Sequence, residues 1–181
     1  MFILPYLFYA HKRHKVAMYL STPTDTQLVE LMTWFSTQAE LDIWSGPEFR
    51  FPFDLEQFKC DLKLSTLASF SLLSAQSELL GFGQYYLRSG RCHLARLVIN
   101  PHLRGQGVAR HLIAQLMAKG TADLKTNSCS LFVLEHNHSA IKSYQKLGFS
   151  FASYPENTPL ENVLYMILNK SSVSDTLKDN K

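Results

Sequence analysis

The chain has 181 residues, 46% of them hydrophobic and 12% aromatic. That is the length of one domain with enough apolar material for a core, which excludes global disorder. Eighteen Lys and Arg against 15 Asp and Glu leave a net charge of +3, too small and scattered for an extended nucleic-acid surface. The apolar start, Met1 to Ala10, is about half the ~20 residues of a membrane span. The basic cluster His11 to Lys15 follows it, on the wrong side for a signal peptide. Residues 1–15 therefore read as a tail, with Met18 as an alternative start and a membrane-surface anchor as the rival reading. Residues 16–170 read as a single domain and 171–181 as a polar tail. The three cysteines, Cys60, Cys92 and Cys129, are far apart and lack Cys-x-x-Cys spacing. They argue against a disulfide framework or a metal site and for a reducing, cytoplasmic compartment.

Val16 to Leu20 reads as a strand. Asp25 to Phe35 fits a helix, with Leu28, Leu31, Met32 and Phe35 on one face. Asp42 to Phe53 contains Gly46-Pro47 and Pro52 and reads as a loop. A short helix follows from Asp54, a good cap, to about Leu62. Strands are predicted over Leu67–Leu73, Leu80–Arg88 and Cys92–Ile99, the last two joined by a Ser89-Gly90 hairpin turn. A long helix begins after Gly107, with Val108, Leu112, Ile113, Leu116 and Met117 as its buried stripe. Ser130–Leu134 is a strand and Ser139–Leu147 a helix stopped by Gly148. Phe149–Tyr154 and Val163–Leu168 close the chain as strands. The order β-α-α-β-β-β-α-β-α-β-β implies an α/β domain with a parallel crossover in a mixed sheet.

Between the third central strand and the long helix stands Asn100-Pro101-His102-Leu103-Arg104-Gly105-Gln106-Gly107-Val108-Ala109. A strand ends, glycines follow, and a helix starts with unpaired N–H groups and a partial positive charge. Gly105 and Gly107 lack a Cβ and admit a ligand close to the backbone, so the segment reads as a pyrophosphate site or else as a tight turn. No Gly-x-x-x-x-Gly-Lys-Ser/Thr string is present. The dinucleotide fingerprint fails at Arg110, although Glu135 ends the next strand and keeps that rival open. Arg/Gln-x-x-Gly-x-Gly/Ala is complete as Arg104 to Ala109. Further on, Asn137 and Tyr144 lie about two helical turns apart, on one face. Individually they read as a cap and a core aromatic.

Together the two motifs resemble the GNAT N-acetyltransferase superfamily, over about Val16 to Leu168 and most closely from Leu97 to Phe149. The resemblance implies a seven-stranded mixed sheet, splayed between strands 4 and 5 and flanked by about four helices. Acetyl-coenzyme A would lie in the gap, with no metal. Its pyrophosphate would sit on Arg104, Gly105, Gln106, Gly107, Val108 and Ala109, and its pantetheine arm would pair with Leu97, Val98 and Ile99. By the same resemblance Asn137 contacts the coenzyme and Tyr144 protonates the leaving thiolate. The family's base, often a Glu, has its two places at Phe132 and near His93. His93 is therefore the candidate base, Glu135 a weaker one, and a water chain the default. The acceptor would enter from the opposite side, over Trp44, Glu48, Gln84 and Arg96, with Glu48 attracting a cationic amine. The implied activity is acetyl transfer to a small-molecule or peptide amine, without nucleic-acid or membrane partners and with a homodimer by family likeness. A non-catalytic coenzyme A sensor or scaffold, and a dinucleotide-binding oxidoreductase, are the alternatives.

Overall fold

A computed structural model of the chain describes residues 17–156 and 161–169. The tails expected over 1–15 and 171–181 lie outside the described residues. The described chain runs β1 (Met18–Ser21), α1 (Asp25–Met32), α2 (Gln38–Ser45), α3 (Leu55–Asp61), β2 (Ala68–Ser74), β3 (Leu79–Arg88) and β4 (Arg91–Ile99). A short 3₁₀ turn over Pro101–Leu103 leads to α4 (Val108–Asp123), β5 (Ser128–Leu134), α5 (His138–Lys146), β6 (Ser150–Phe151) and β7 (Val163–Asn169). One seven-stranded sheet has the order β1-β2-β3-β4-β5-β7-β6. Every neighbouring pair is antiparallel except β4 and β5, which are parallel.

Local signals set the boundaries. Thr24 and Gln27 form a reciprocal capping box that starts α1. Asp54 caps α3 through the Gln57 amide. Ser89 and Gly90 both have positive φ, as a tight two-residue hairpin turn between β3 and β4 requires. Two sequence expectations are corrected. The helix expected to reach Phe35 ends at Met32, and α2 runs into the start of the segment expected as a loop, Asp42–Phe53. Thr37 caps α2 by accepting from the Glu40 amide, and Gly46, at φ 81°, ends it. The described chain therefore has five α-helices rather than about four. The last strand pair is also shorter than expected, since β6 covers only Ser150–Phe151.

The sheet separates two cores. On one face α4 and α5 pack on β2–β5 and β7 through Leu94, Leu112, Leu116, Leu131, Leu147 and Phe149. The expected stripe of α4, Val108 to Met117, is buried there. Backbone approach is close: a Cβ on Gly83 would come within 2.6 Å of Leu116 and 2.9 Å of Leu97. On the other face α1, α2 and α3 enclose an aromatic core of Phe35, Phe49, Phe58 and Phe82, with Trp34 and Trp44 packed against it.

Two irregularities shape the middle of the sheet. Gln84 pairs with Ala95 and Phe82 with Val98, so Arg96 and Leu97 together oppose Gly83. This is a β-bulge, with Arg96 at φ 50°. The β4–β5 register covers only Cys92↔Cys129, His93↔Ser130 and Leu94↔Leu131. Beyond these pairs the two strands part, so Ala95–Ile99 keeps β3 on one side and has no strand partner towards β5 among the described residues. The splay between strands 4 and 5 is present.

Candidate active site

The opened side of β4 runs directly into the glycine loop and α4. Asn100 Oδ1 accepts from the His102 amide at 3.1 Å and holds the first turn of the loop. Gln106 Nε2 donates to the His102 carbonyl at 3.1 Å and ties the loop across itself. Gly105 and Gly107 have φ of 77° and 81°, which an L-residue with a Cβ adopts only under strain. A Cβ at either glycine would meet nothing within 4 Å. The glycines therefore leave open space in front of the backbone rather than relieving a clash. Gly107 is the N-cap of α4 and supplies no side-chain acceptor, so the leading amides of a 16-residue helix face that space uncapped. Arg104 is exposed beside them. The residues present thus fit a bound diphosphate: open volume, helix amides without a side-chain cap, a helix dipole and one exposed cation.

On α5, Asn137 caps its own helix, its Oδ1 accepting from the Ala140 amide at 3.2 Å. Tyr144 is half-buried, its ring 6.0 Å from that of Phe149. Its hydroxyl makes no hydrogen bond to a described residue. Burial pushes its pKa up to about 12, so it keeps its proton across the neutral range. It is a donor without a fixed acceptor.

His93 lies elsewhere. Its ring is 2% exposed, lies 5.2 Å from the Tyr86 ring and 5.0 Å from that of Phe132, and bonds Ser130 Oγ through Nδ1 at 2.9 Å. Burial, aided by the Arg88 charge, lowers its pKa to about 3. A neutral, enclosed imidazole of that basicity is a poor acceptor for an ammonium proton.

The four residues expected at the acceptor side have different fates. Trp44 is built into the aromatic core, stacked on Phe35 at 4.6 Å, with its indole Nε1 buried and without a hydrogen-bond partner among the described residues. Glu48 is exposed and paired with Lys63 at 3.2 Å. Gln84 is fully buried. Its Nε2 donates to the Leu62 carbonyl and to Ser69 Oγ, and its Oε1 receives Arg96 Nη1 at 2.7 Å. That amide is spent and positions Arg96 instead of touching a substrate. Arg96 is half-buried, its guanidinium 5.1 Å above the Phe49 ring.

Sequence reasoning missed Arg88, Tyr86 and Tyr154. Arg88 donates to the Tyr154 and Tyr86 hydroxyls at 2.8 and 2.9 Å and lies over the Phe132 and Tyr154 rings. Alternation along β3 could have found the first two, because Phe82, Gln84, Tyr86 and Arg88 share one face. Tyr154 arrives from a loop and carried no signal. Among the described residues no group of three or more His, Cys, Asp or Glu is placed to hold a metal. No described helix is long and apolar enough to cross a membrane.

A strand opened on one side thus leads into a glycine-lined helix start, with a tyrosine on the next helix. Comparison with known proteins shows that the chain belongs to the acetyltransferase (GNAT) family, whose model matches residues 28–149. A probable spermine N(1)-acetyltransferase of Bacillus subtilis subsp. natto is 30% identical over 84 residues, which cover 42% of this chain and 55% of that relative. The chain thus spans about half the length of this curated relative. Among solved structures, a Vibrio cholerae spermidine N-acetyltransferase in complex with CoA and spermine superposes with a TM-score of 0.67 at 19% identity, over 87% of this chain and 98% of its own. An aminoglycoside acetyltransferase in complex with coenzyme A gives 0.69 at 18% identity, over 90% and 100%. At such identities these structures attest the fold.

Proposed function

We propose that this protein is an acetyl-coenzyme A-dependent N-acyltransferase that moves an acetyl group to a primary amine by direct attack. The observation that carries this reading is the continuity of three features. The unpaired side of β4 leads into the open glycine cradle, and the uncapped start of α4 follows. Leu97, Val98 and Ile99 would bind the pantetheine arm through backbone groups. Arg104 to Ala109 would hold the diphosphate. The coenzyme supplies a thioester carbonyl already reactive towards amines, so much of the protein's work is positioning.

The bulge at Arg96 and Leu97 turns the backbone just before Val98, whose amide is suited to polarise the carbonyl oxygen. As the new C–N bond forms and the C–S bond breaks, Tyr144 donates its proton, or a hydrogen bond, to the departing sulfur. A free thiol has a pKa of ~8.5, below the value of about 12 for Tyr144. Burial raises thiol and phenol alike, however, which narrows that gap inside the site. Asn137, by contrast, acts as the cap that fixes the start of α5. The proton lost by the amine leaves through water, because His93 is too weak a base in its enclosed position.

Polyamine acceptors in the relatives support an amine as the nucleophile. The test is thiol release from acetyl-coenzyme A over a panel of amines, with coenzyme affinity measured by calorimetry on the parent and on Gly107→Val. We expect amine-dependent release and a loss of coenzyme affinity of tenfold or more in the variant. Unchanged affinity would contradict the cradle, and binding without release would favour a sensor.

A further inference from the structure

We propose that the amine acceptor also carries a carboxylate, received by the Arg96 guanidinium, so that amino-carboxylates rather than polyamines are the substrates. This rests on the acetyl-transfer reading above and narrows it.

Arg96 sits in the bulge of the β4 segment that borders the opened gap. Its only hydrogen bond among the described residues is Nη1 to Gln84, and its Nε is buried with no partner among them. No carboxylate among the described residues pairs with it. The two acids close enough to act on it, Glu48 and Asp61, are engaged by Lys63 and Arg50 at 3.2 and 2.7 Å. Burial lowers its pKa, yet it remains a cation. A half-buried cation left without an anion is costly to keep, and Gln84, itself fully buried, holds it in place. The structure thus maintains an arginine whose fork has unused donors, the arrangement that receives a carboxylate. The same face carries Arg88, whose bonds go to two tyrosine hydroxyls and not to an acid. On that face a polycation would meet two guanidinium groups, while the two carboxylates nearest Arg96 are engaged by other cations. That repulsion selects against it.

L-lysine and cadaverine test this, since they share the side-chain amine and differ by the carboxylate. We expect kcat/KM for lysine to exceed that for cadaverine by tenfold or more, with spermine below lysine. Arg96→Gln should shrink the lysine-to-cadaverine ratio towards one, chiefly by raising KM for lysine, with coenzyme affinity and melting temperature preserved. Arg96→Lys, which keeps the charge without the fork, should retain part of the preference. Calorimetric binding of lysine to the coenzyme A complex should weaken in Arg96→Gln by a similar factor. Cadaverine or spermine matching lysine in the parent would overturn the inference while leaving acetyl transfer intact, as would a ratio that ignores Arg96→Gln. Lysine that fails to bind the coenzyme complex also overturns it. Coenzyme binding without thiol release from any amine would instead overturn the transfer reading.

Discussion

Tyr144 and His93 are both enclosed, and burial moves their pKa values in opposite directions. For Tyr144 burial protects the proton that the reaction uses. Tyr144→Phe keeps the ring that packs on Phe149 and removes only the donor. General acids contribute roughly 100-fold or more, so turnover should fall by about that factor while coenzyme affinity changes less than about twofold, as steady-state rates and calorimetry will show. For His93 the folded pKa of about 3 lies below the unfolded value of 6.5. Between those values the unfolded chain binds a proton that the folded chain refuses. Stability is therefore fully present above about 6.5 and declines as pH falls across that window. At about 1.4 kcal/mol per pH unit, denaturant titrations at pH 6.5 and pH 5 should show the parent losing about 2 kcal/mol more than His93→Gln. Equal losses would mean that another group carries the acid sensitivity. A motif in the residue types singles out Tyr144 and the glycine loop. The hydrogen bonds of Gln84 and the ion pair of Glu48 were not readable, because they depend on neighbours distant in sequence, Leu62 and Lys63.

At the scale of the element, α4 shows how a helix can require a glycine in its last turn. Alanine would improve helix propensity at Gly120 by about 1 kcal/mol. Here an added Cβ would lie 2.5 Å from Cys92 Sγ and 3.0 Å from the Tyr85 ring. Both neighbours are buried; Tyr85 is also tethered through its hydroxyl to Asp123. Overpacking costs about 1–3 kcal/mol, so Gly120→Ala should be destabilising in a urea melt, and a stabilised variant would show that the helix can ride up freely. The stripe of α4 was legible because Val108, Leu112, Ile113, Leu116 and Met117 recur at helical spacing over nearly three turns. The helix α2 was not. It has eight residues, buries only Leu41 fully, and ends against Gly46-Pro47, a strong turn signal. The facing of Arg96 was equally hidden, since a bulge breaks the two-residue alternation by which strand faces are counted.

Taken whole, the molecule is a sheet whose two halves share three residue pairs between β4 and β5 and meet further through α4 and its core on one face and through Arg88, His93, Phe132 and Tyr154 on the other. The mixed sheet with one parallel crossover was legible from element order. The splay came only with the family likeness, because no residue pattern marks where two strands stop pairing. A coenzyme lodged in the gap would bind the native form alone. At 100-fold excess over its dissociation constant it adds about 2.7 kcal/mol, which for a chain of this size should raise the melting temperature by about 5–10 °C. A thermal scan with and without coenzyme A checks this, and no shift at saturating ligand would deny specific binding.

The distribution of indoles has a practical consequence. Trp34 and Trp44, the two tryptophans of the sequence, both pack against the core enclosed by α1, α2 and α3. Tryptophan emission, excited selectively over the tyrosines, therefore watches one side of the protein and is blind to the other, where α4 and α5 lie. A loosening confined to those helices would pass unseen in an emission trace yet register at once in far-ultraviolet circular dichroism. Following both signals through one denaturation would reveal whether the two flanks let go together.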